Sequence, residues 1–373
     1  MIPLPTVPLS LTPTDQAALT ALYLQGTPAN TLRAYDRDLI YLTAWKHAAL
    51  KQALIWPESP ETALRFLLDH SRNLTRAAAD DPARQTAQTL IAAGLRRTLA
   101  CPAPATLDRR IASWRAFHRM QNLASPFDTP LLRQARAKGR VAAKTVPAPK
   151  SANPITRDIL LRLLSASGPG LRGVRDRAIL LLGWASGGRR RAEIVSLDLA
   201  DLDLSEFATK GLVWLRLPGT KTTTAAKTPR LVLKGQAARA VVAWIDAGID
   251  AGIDAGIDAG IDAGDIRTGA LFRRISRTGV AGQHRLTPDA VGQIVKRLVA
   301  AAGLPPGFAS PHGLRSGFLT QAAQDGVQVQ AAMRLSLHRS VAQAQRYYDD
   351  IELTDNPATD LLRDDRKWTE TMA

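Results

Sequence analysis

The sequence predicts a mainly α protein with a small β-sheet, built as an all-helical N-terminal domain followed by an α+β C-terminal domain. Three observations carry that reading. Residues 13–138 repeat apolar side chains at helical spacing with few glycines. A Lys- and Pro-rich stretch without apolar periodicity, 139–154, follows. Beyond it, one pair of β-forming runs interrupts a further series of helical segments. With 373 residues, 45% of them hydrophobic, the chain is long enough for two or three packed cores.

Taken in order, residues 1–12 carry three prolines and no Lys or Arg, which suits a flexible terminus and excludes a signal-peptide core. With only about a dozen residues before the first helix, no extra N-terminal domain is expected. Breaks at Gly26-Thr27-Pro28, Ser59-Pro60-Glu61 and Cys101-Pro102-Ala103-Pro104 divide 13–138 into four or five helices. In the clearest, Asn30 to Ala48, Leu32, Tyr35, Leu39, Leu42 and Trp45 share a face while Arg33, Arg37 and Lys46 point elsewhere. Tyr23 and Tyr41 are expected in the core with Tyr35. A second helix, Thr106 to Met120, turns Leu107, Ile111, Trp114 and Phe117 inward and Arg109, Arg110, Arg115 and Arg119 largely outward. That helix is suited to crossing a phosphate backbone. Residues 1–145 hold 19 basic and 10 acidic side chains. The linker adds Arg140, Lys144 and Lys150 as further candidate phosphate contacts.

The C-terminal domain, 155–352, is expected to begin with a helix near Asp158 to Leu164 and a long apolar helix from Val174 to Ala185. Leu212 to Leu217 and Arg230 to Leu233 read as a hairpin around a Gly/Thr/Lys-rich turn. Helices resume at Gln236 to Trp244, Thr287 to Ala302 and His312 to Ala323, and continue to the end. Within this domain, 246–264 repeats Ala-Gly-Ile-Asp. A period of four is near the helical 3.6, yet a Gly in every repeat costs about 1 kcal/mol relative to Ala, so the tract reads as an expanded, chemically inert insertion. Its Asp ladder does not match a calcium loop. The tail, 353–373, reverses the charge trend. Residues 349–373 hold eight acidic and three basic side chains, with Leu361, Leu362 and Trp368 as apolar anchors for docking on a neighbouring protomer.

Composition narrows function. Lys and Arg number 49 against 33 Asp and Glu, a net charge of +16 and the footprint of a protein that holds a polyanion. One cysteine, Cys101, allows no intramolecular disulfide and points to a reducing compartment. No apolar run reaches the length of a membrane span. The six histidines are scattered and no Cys pair exists, so no metal cluster is expected. Nor is there a phosphate-cradling Walker loop or a dinucleotide-binding Gly turn, which leaves ATP and NAD chemistry without a signature.

What remains is a set of cations, histidines and tyrosines in the second domain. Gly187-Gly188-Arg189-Arg190-Arg191-Ala192-Glu193 opens a helix after a buried one, where it is either an anion site or a solvated basic turn. His312 and Arg315, at i and i+3, share a helix face, a weak motif alone. Lys221 lies in the hairpin turn, where a solvated lysine is the default. Tyr347 and Tyr348 follow His338 in a polar stretch read as helical.

Together, in this order, these residues resemble the catalytic domain of the tyrosine recombinase, or phage integrase, family. The family's arginine box, a Gly, any residue, Arg, two residues and Glu, matches Gly188, Arg190 and Glu193. Its hairpin lysine matches Lys221 and its His-x-x-Arg matches His312 and Arg315. Its second histidine, followed nine residues later by the nucleophile, matches His338 and Tyr347. Leu337 departs from the pattern, because a Gly often precedes that histidine. The resemblance spans about residues 13–350, with NTLRAYDRDLIYLTAW, 30–45, similar to the helical core-binding domain.

The resemblance implies a SAM-like helical domain and a catalytic domain forming a C-shaped DNA clamp. It implies DNA cleavage through a 3′-phosphotyrosine and a four-way junction, without metal, ATP or other cofactor, in integration, excision or dimer resolution. Tyr347 would be the nucleophile, and Arg190 and Arg315 the phosphate clamp. Lys221 would protonate the leaving 5′ oxygen, His312 would be the acid–base partner, His338 would bond the phosphate and Glu193 would orient the cations. The implied partner is double-stranded DNA with two inverted half-sites, bound by a homotetramer across two sites in the bacterial cytoplasm. A type IB topoisomerase shares this chemistry but fits the two-domain length less well. A non-catalytic DNA-binding protein leaves the complete catalytic set unexplained, and an RNA-binding protein explains only the charge.

Overall fold

The computed structural model describes residues 12–142, 151–218, 229–259, 268–338 and 340–349. They fall into two compact units, Met1–Pro147 and Ala148–Ala373. The first is helical throughout: α1 Pro13–Gly26, α2 Ala29–Leu50, α3 Pro60–Ser71, α4 Pro82–Ala92, α5 Pro104–Met120 and α6 Pro130–Ala142. Proline opens α1, α3, α4 and α5 in the first turn, where its missing N–H costs nothing, and Thr12, Ser59 and Asp81 cap α1, α3 and α4 through their side-chain oxygens. The core of the unit is Tyr41, Leu42 and Trp45 of α2 against Phe66 of α3 and Ile111, Trp114 and Phe117 of α5.

Four expectations need correction here. Lys46 does not point away from the core: it is buried, its ammonium paired with the buried Glu58 carboxylate at 2.5 Å. Helix α6 runs to Ala142, so the segment read as linker from residue 139 begins as helix. Tyr23 is 41% exposed, because α1 buries none of its side chains. Arg110 is buried rather than outward, its guanidinium 3.2 Å from the Tyr41 ring centroid, where the aromatic face offsets part of its lost hydration. Several other arginines of the basic face hold carboxylates: Arg109 bonds Asp38, Arg115 bonds Asp128 at 2.9 Å, and Arg140 bonds Asp108 at 2.5 Å. Arg33, Arg37 and Arg119 are exposed. Lys144 and Lys150 lie outside the described residues.

The second unit runs α7 Arg157–Ser165, α8 Leu171–Ala185, α9 Arg191–Ser196, β1 Leu202–Asp203, α10 Phe207–Lys210, β2 Val213–Arg216, β3 Arg230–Leu233, α11 Gly235–Ala259, β4 Arg273–Ile275, β5 Ala281–Arg285, α12 Pro288–Ala301, α13 His312–Gln324, α14 Val329–Ser336 and α15 Val341–Gln345. Strands β2 and β3 form the expected antiparallel hairpin, Val213 opposite Leu233 and Arg216 opposite Arg230, with β1 on the free edge of β2. Its connection, including Lys221, lies outside the described residues. Helix α8 is the central element, packed along α11 and α13. Ile179, Leu180 and Leu182 of α8 are wholly buried with Val241, Val295, Leu298 and Leu314.

The helix expected to end near Trp244 instead continues as α11 through Ala259, into the Ala-Gly-Ile-Asp tract. Gly248, Gly252 and Gly256 fall inside that helix. The tail, 353–373, lies outside the described residues. Among those described, no helix is long and apolar enough to cross a membrane and no cluster of His, Cys, Asp or Glu could hold a metal ion.

Candidate active site

The site is assembled where the turn after α8 meets α13 and the end of α14. At 187–188 the chain must reverse tightly. Both glycines adopt left-handed backbone, with φ of +94° and +73°. A Cβ on Gly188 would stand 2.3 Å from Arg315 Cα, and one on Gly187 would stand 2.3 Å from the Leu335 carbonyl carbon. Only glycine permits both the conformation and the approach. That contact brings Arg190 beside Arg315.

Arg190 is the residue that caps α9. Its backbone N–H donates to Glu193 Oε2 at 3.2 Å, and its Nη1 donates to Glu193 Oε1 at 2.6 Å. Glu193 therefore orients the Arg190 side chain, which is 57% exposed and available to a ligand. Arg315, three residues into α13, is 5% exposed. Its Nη1 donates to Gly188 O at 3.2 Å, while Nε and Nη2 reach His338 Nε2 at 3.2 and 3.0 Å.

Arginine can only donate, so His338 Nε2 accepts and the ring proton sits on Nδ1, directed at Ser336 Oγ 2.8 Å away. Burial, then the neighbouring Arg315, Arg190 and Arg189 charges and His312, push His338 down to about 4. It is a neutral acceptor at physiological pH. Burial first, then Arg189 and Arg190, lower Arg315 to about 10, so it remains cationic.

His338 reaches this place through Leu337, whose φ of +55° and ψ of +38° end α14 in the left-handed region. This is the physical reason a glycine suits that position. Here Leu337 adopts the conformation at a cost of about 1–2 kcal/mol, and His338 still meets Arg315. Tyr347 lies in the turn that follows the five-residue α15, its N–H donating to Ala344 O at 3.1 Å. The expected helix around both tyrosines is therefore a short helix and a turn. The Tyr347 and His338 ring centroids are 6.4 Å apart. Both tyrosines pack against Leu319, Ala322 and Ala332, and the Tyr348 hydroxyl is buried without a partner.

Of the residues singled out in the sequence, Arg190, Glu193, Arg315, His338 and Tyr347 come together. His312 opens α13 one turn before Arg315 and bears electrostatically on His338. Sequence reasoning missed Ser336, for which no signal existed. It also passed over Arg189, the middle of an arginine run, which is buried beside this cluster.

Residues 154–352, more than half the chain, match the Phage integrase family. An integrase/recombinase XerD homologue of Selenomonas ruminantium is 26% identical over 327 residues, covering 86% of this chain and 81% of the relative. Tyrosine recombinase XerD of Xanthomonas axonopodis pv. citri is 26% identical over 334 residues, covering 87% and 88%. Among solved structures, the Tn1549 transposon integrase in complex with transposon right end DNA shares the fold at a TM-score of 0.53 and 16% identity, with 91% of this chain and 96% of that one covered. The XerH site-specific recombinase bound to palindromic difH shares it at 0.51 and 13%, covering 94% and 85%. This chain therefore belongs to the phage integrase family and is a tyrosine-type site-specific DNA recombinase.

Proposed function

We propose that the chain cuts and rejoins double-stranded DNA through a 3′-phosphotyrosine on Tyr347. The Tyr347 oxygen bonds the scissile phosphorus, the bond to the 5′ oxygen breaks, and the 5′ oxygen takes a proton from Lys221. His312 takes the phenolic proton. Arg190 and Arg315 hold the non-bridging oxygens, the bidentate geometry that guanidinium offers and ammonium does not. A 5′ hydroxyl from a partner duplex then reverses the step, and two rounds pass through a four-way junction. Because the phosphotyrosine keeps the ester bond, rejoining needs no nucleotide cofactor.

One observation carries this reading. A buried Arg315, tied to a neutral His338, faces the same cluster as an exposed, carboxylate-oriented Arg190, with Tyr347 alongside. Preorganised cations beside an oxygen nucleophile are what phosphoryl transfer requires in the absence of a metal. His338 supports Arg315 in this arrangement; a direct bond from Nε2 to phosphate requires its proton to move from Nδ1 to Nε2 and Arg315 to release that nitrogen for the phosphate. The exposed Arg33, Arg37 and Arg119 offer phosphate contacts, Arg109, Arg115 and Arg140 do so only in exchange for their carboxylate partners, and Arg110 serves the core of its own unit. Two inverted half-sites and four protomers on two DNA sites complete the reading, with the acidic tail docking between protomers in the cytoplasm.

A nicked suicide substrate tests it. Cleavage releases a short strand and traps a denaturation-resistant protein–DNA adduct, expected equally in EDTA. Relaxation of supercoils by a lone protomer, with no exchange between duplexes, would assign the same chemistry to a topoisomerase instead.

A further inference from the structure

Arg189 occupies the open position between the glycine and the arginine of the box, and it is 1% exposed. Its Nη2 donates to Leu335 O at 2.7 Å, its Nη1 stands 3.7 Å from Glu193 Oε2, and its Nε has no partner. Its backbone N–H donates to Gly183 O at 2.7 Å, which anchors it to α8. A guanidinium this buried, with so few bonds, is an expensive occupant, and an apolar side chain of the same length would be easier to accommodate. Stability alone does not explain it.

Its contacts lie on both sides of the site. Leu335 belongs to the last turn of α14, where carbonyls lack helical partners and a cation is favoured. Two residues later comes the left-handed Leu337, and then His338. Glu193, on the other side, orients Arg190. We propose that Arg189 is a positioning residue for strand cleavage, joining the α14 terminus that presents His338 to the Glu193 carboxylate that aims Arg190.

This rests on the catalytic reading above. Arg189 does not touch substrate, so its effect passes through His338 and Glu193. The charged and titratable groups around His338 are Arg315 and His312 from α13, Arg190 and Arg189 from the turn after α8, and Tyr347 after α15. Burial, Arg315 and Arg190 hold His338 down more than Arg189 does, so removing the Arg189 charge relieves only part of the depression and moves His338 up from about 4, whereas Lys at the same place keeps it low.

The experiment compares Arg189→Met and Arg189→Lys in the full chain. Single-turnover cleavage of a nicked substrate, half-site affinity, Tm and the titration of histidine-labelled protein by NMR are measured for each. His338 is assigned from the signal lost in His338→Gln. For Arg189→Met, cleavage falls at least tenfold, half-site affinity stays within about twofold, Tm stays within a few degrees, and the His338 midpoint moves up. Arg189→Lys recovers part of the rate and keeps the midpoint low. An unmoved His338 midpoint in Arg189→Met, or full cleavage there, overturns the proposal. So does a loss shared equally by affinity, Tm and rate, which marks a purely structural arginine. If Arg189→Met does not fold, Arg189→Lys decides: a midpoint raised in that variant, or cleavage lost along with affinity, refutes it. The NMR titration needs no cleavage, so it separates failure of this inference from failure of the catalytic reading.

Discussion

Arg315 gives two of its nitrogens, Nε and Nη2, to a single acceptor, His338 Nε2, at 3.2 and 3.0 Å. Deleting that acceptor leaves a buried guanidinium short of a partner, at a cost of about 1.5–3 kcal/mol. His338→Leu is expected to slow cleavage by about 10- to 100-fold through misplacement of Arg315, and His338→Gln to retain more, because an amide oxygen can accept. Equal rates in the two variants would remove the acceptor role.

Tyr348 differs from Tyr347 in a way that substitution can read. Its hydroxyl is buried without a hydrogen bond, and burial raises its ionisation above the ordinary phenol value. Tyr348→Phe should keep adduct formation and leave Tm unchanged or slightly raised, since it discards an unpaired polar atom. Tyr347→Phe should bind its half-site normally and form no adduct. The thermal comparison is made by calorimetry alongside the denaturing gel.

Gly188 permits the approach of the arginine turn to α13. Gly188→Ala combines about 1–2 kcal/mol of left-handed strain with a methyl 2.3 Å from Arg315 Cα, so cleavage should be lost even where the protein folds. Near-parental cleavage by a folded Gly188→Ala protein would show that the close approach is not needed.

Basic residues of the first unit should separate by role. Arg37 and Arg119 are exposed, and replacing either with Ala should lower the dependence of affinity on salt by about one phosphate contact with Tm unchanged. Arg110→Ala should instead lower Tm, because that side chain covers the Tyr41 ring. An unchanged Tm together with a reduced salt slope would place Arg110 on DNA.

Acid should weaken both units. His70 in the first is held at about 3 by burial, with its Nε2 bonded to the Tyr41 hydroxyl at 2.6 Å, and His338 in the second is held at about 4. Both folded values lie below the unfolded 6.5, so the unfolded chain binds the extra protons as pH falls below 6.5. Stability is complete above that pH and declines beneath it. For the fully buried His70 the loss at pH 5 is about 2 kcal/mol. Urea unfolding from pH 7 to pH 5 should show this slope, flatter in His70→Gln. An identical slope in that variant would exclude His70 as its source.

The fold was legible because the helices of both units keep a 3.6-residue apolar period and the hairpin has its turn chemistry. Arg110 misled because an arginine on an apolar face can stack on a tyrosine, which periodicity counts as exposed. The tract after Trp244 misled for a related reason: glycine propensity is a weak prior, and α11 runs through several unfavourable residues. At the site, Arg190, Arg315, His338 and Tyr347 were readable from order and spacing. What held them was not. The proton on His338 Nδ1, the left-handed Leu337 and the buried Arg189 depend on backbone conformation and burial that no linear spacing encodes.

The most direct measurement is fragment-ion mapping of the covalent adduct trapped on a nicked substrate in EDTA. Trypsin cuts after Arg346, so Tyr347 and Tyr348 open the same peptide and tandem mass spectrometry resolves them. The account expects the nucleotide remnant on Tyr347, through its 3′ phosphate, with none formed by Tyr347→Phe. A remnant on Tyr348, or an adduct that forms only when a divalent metal is supplied, would contradict it.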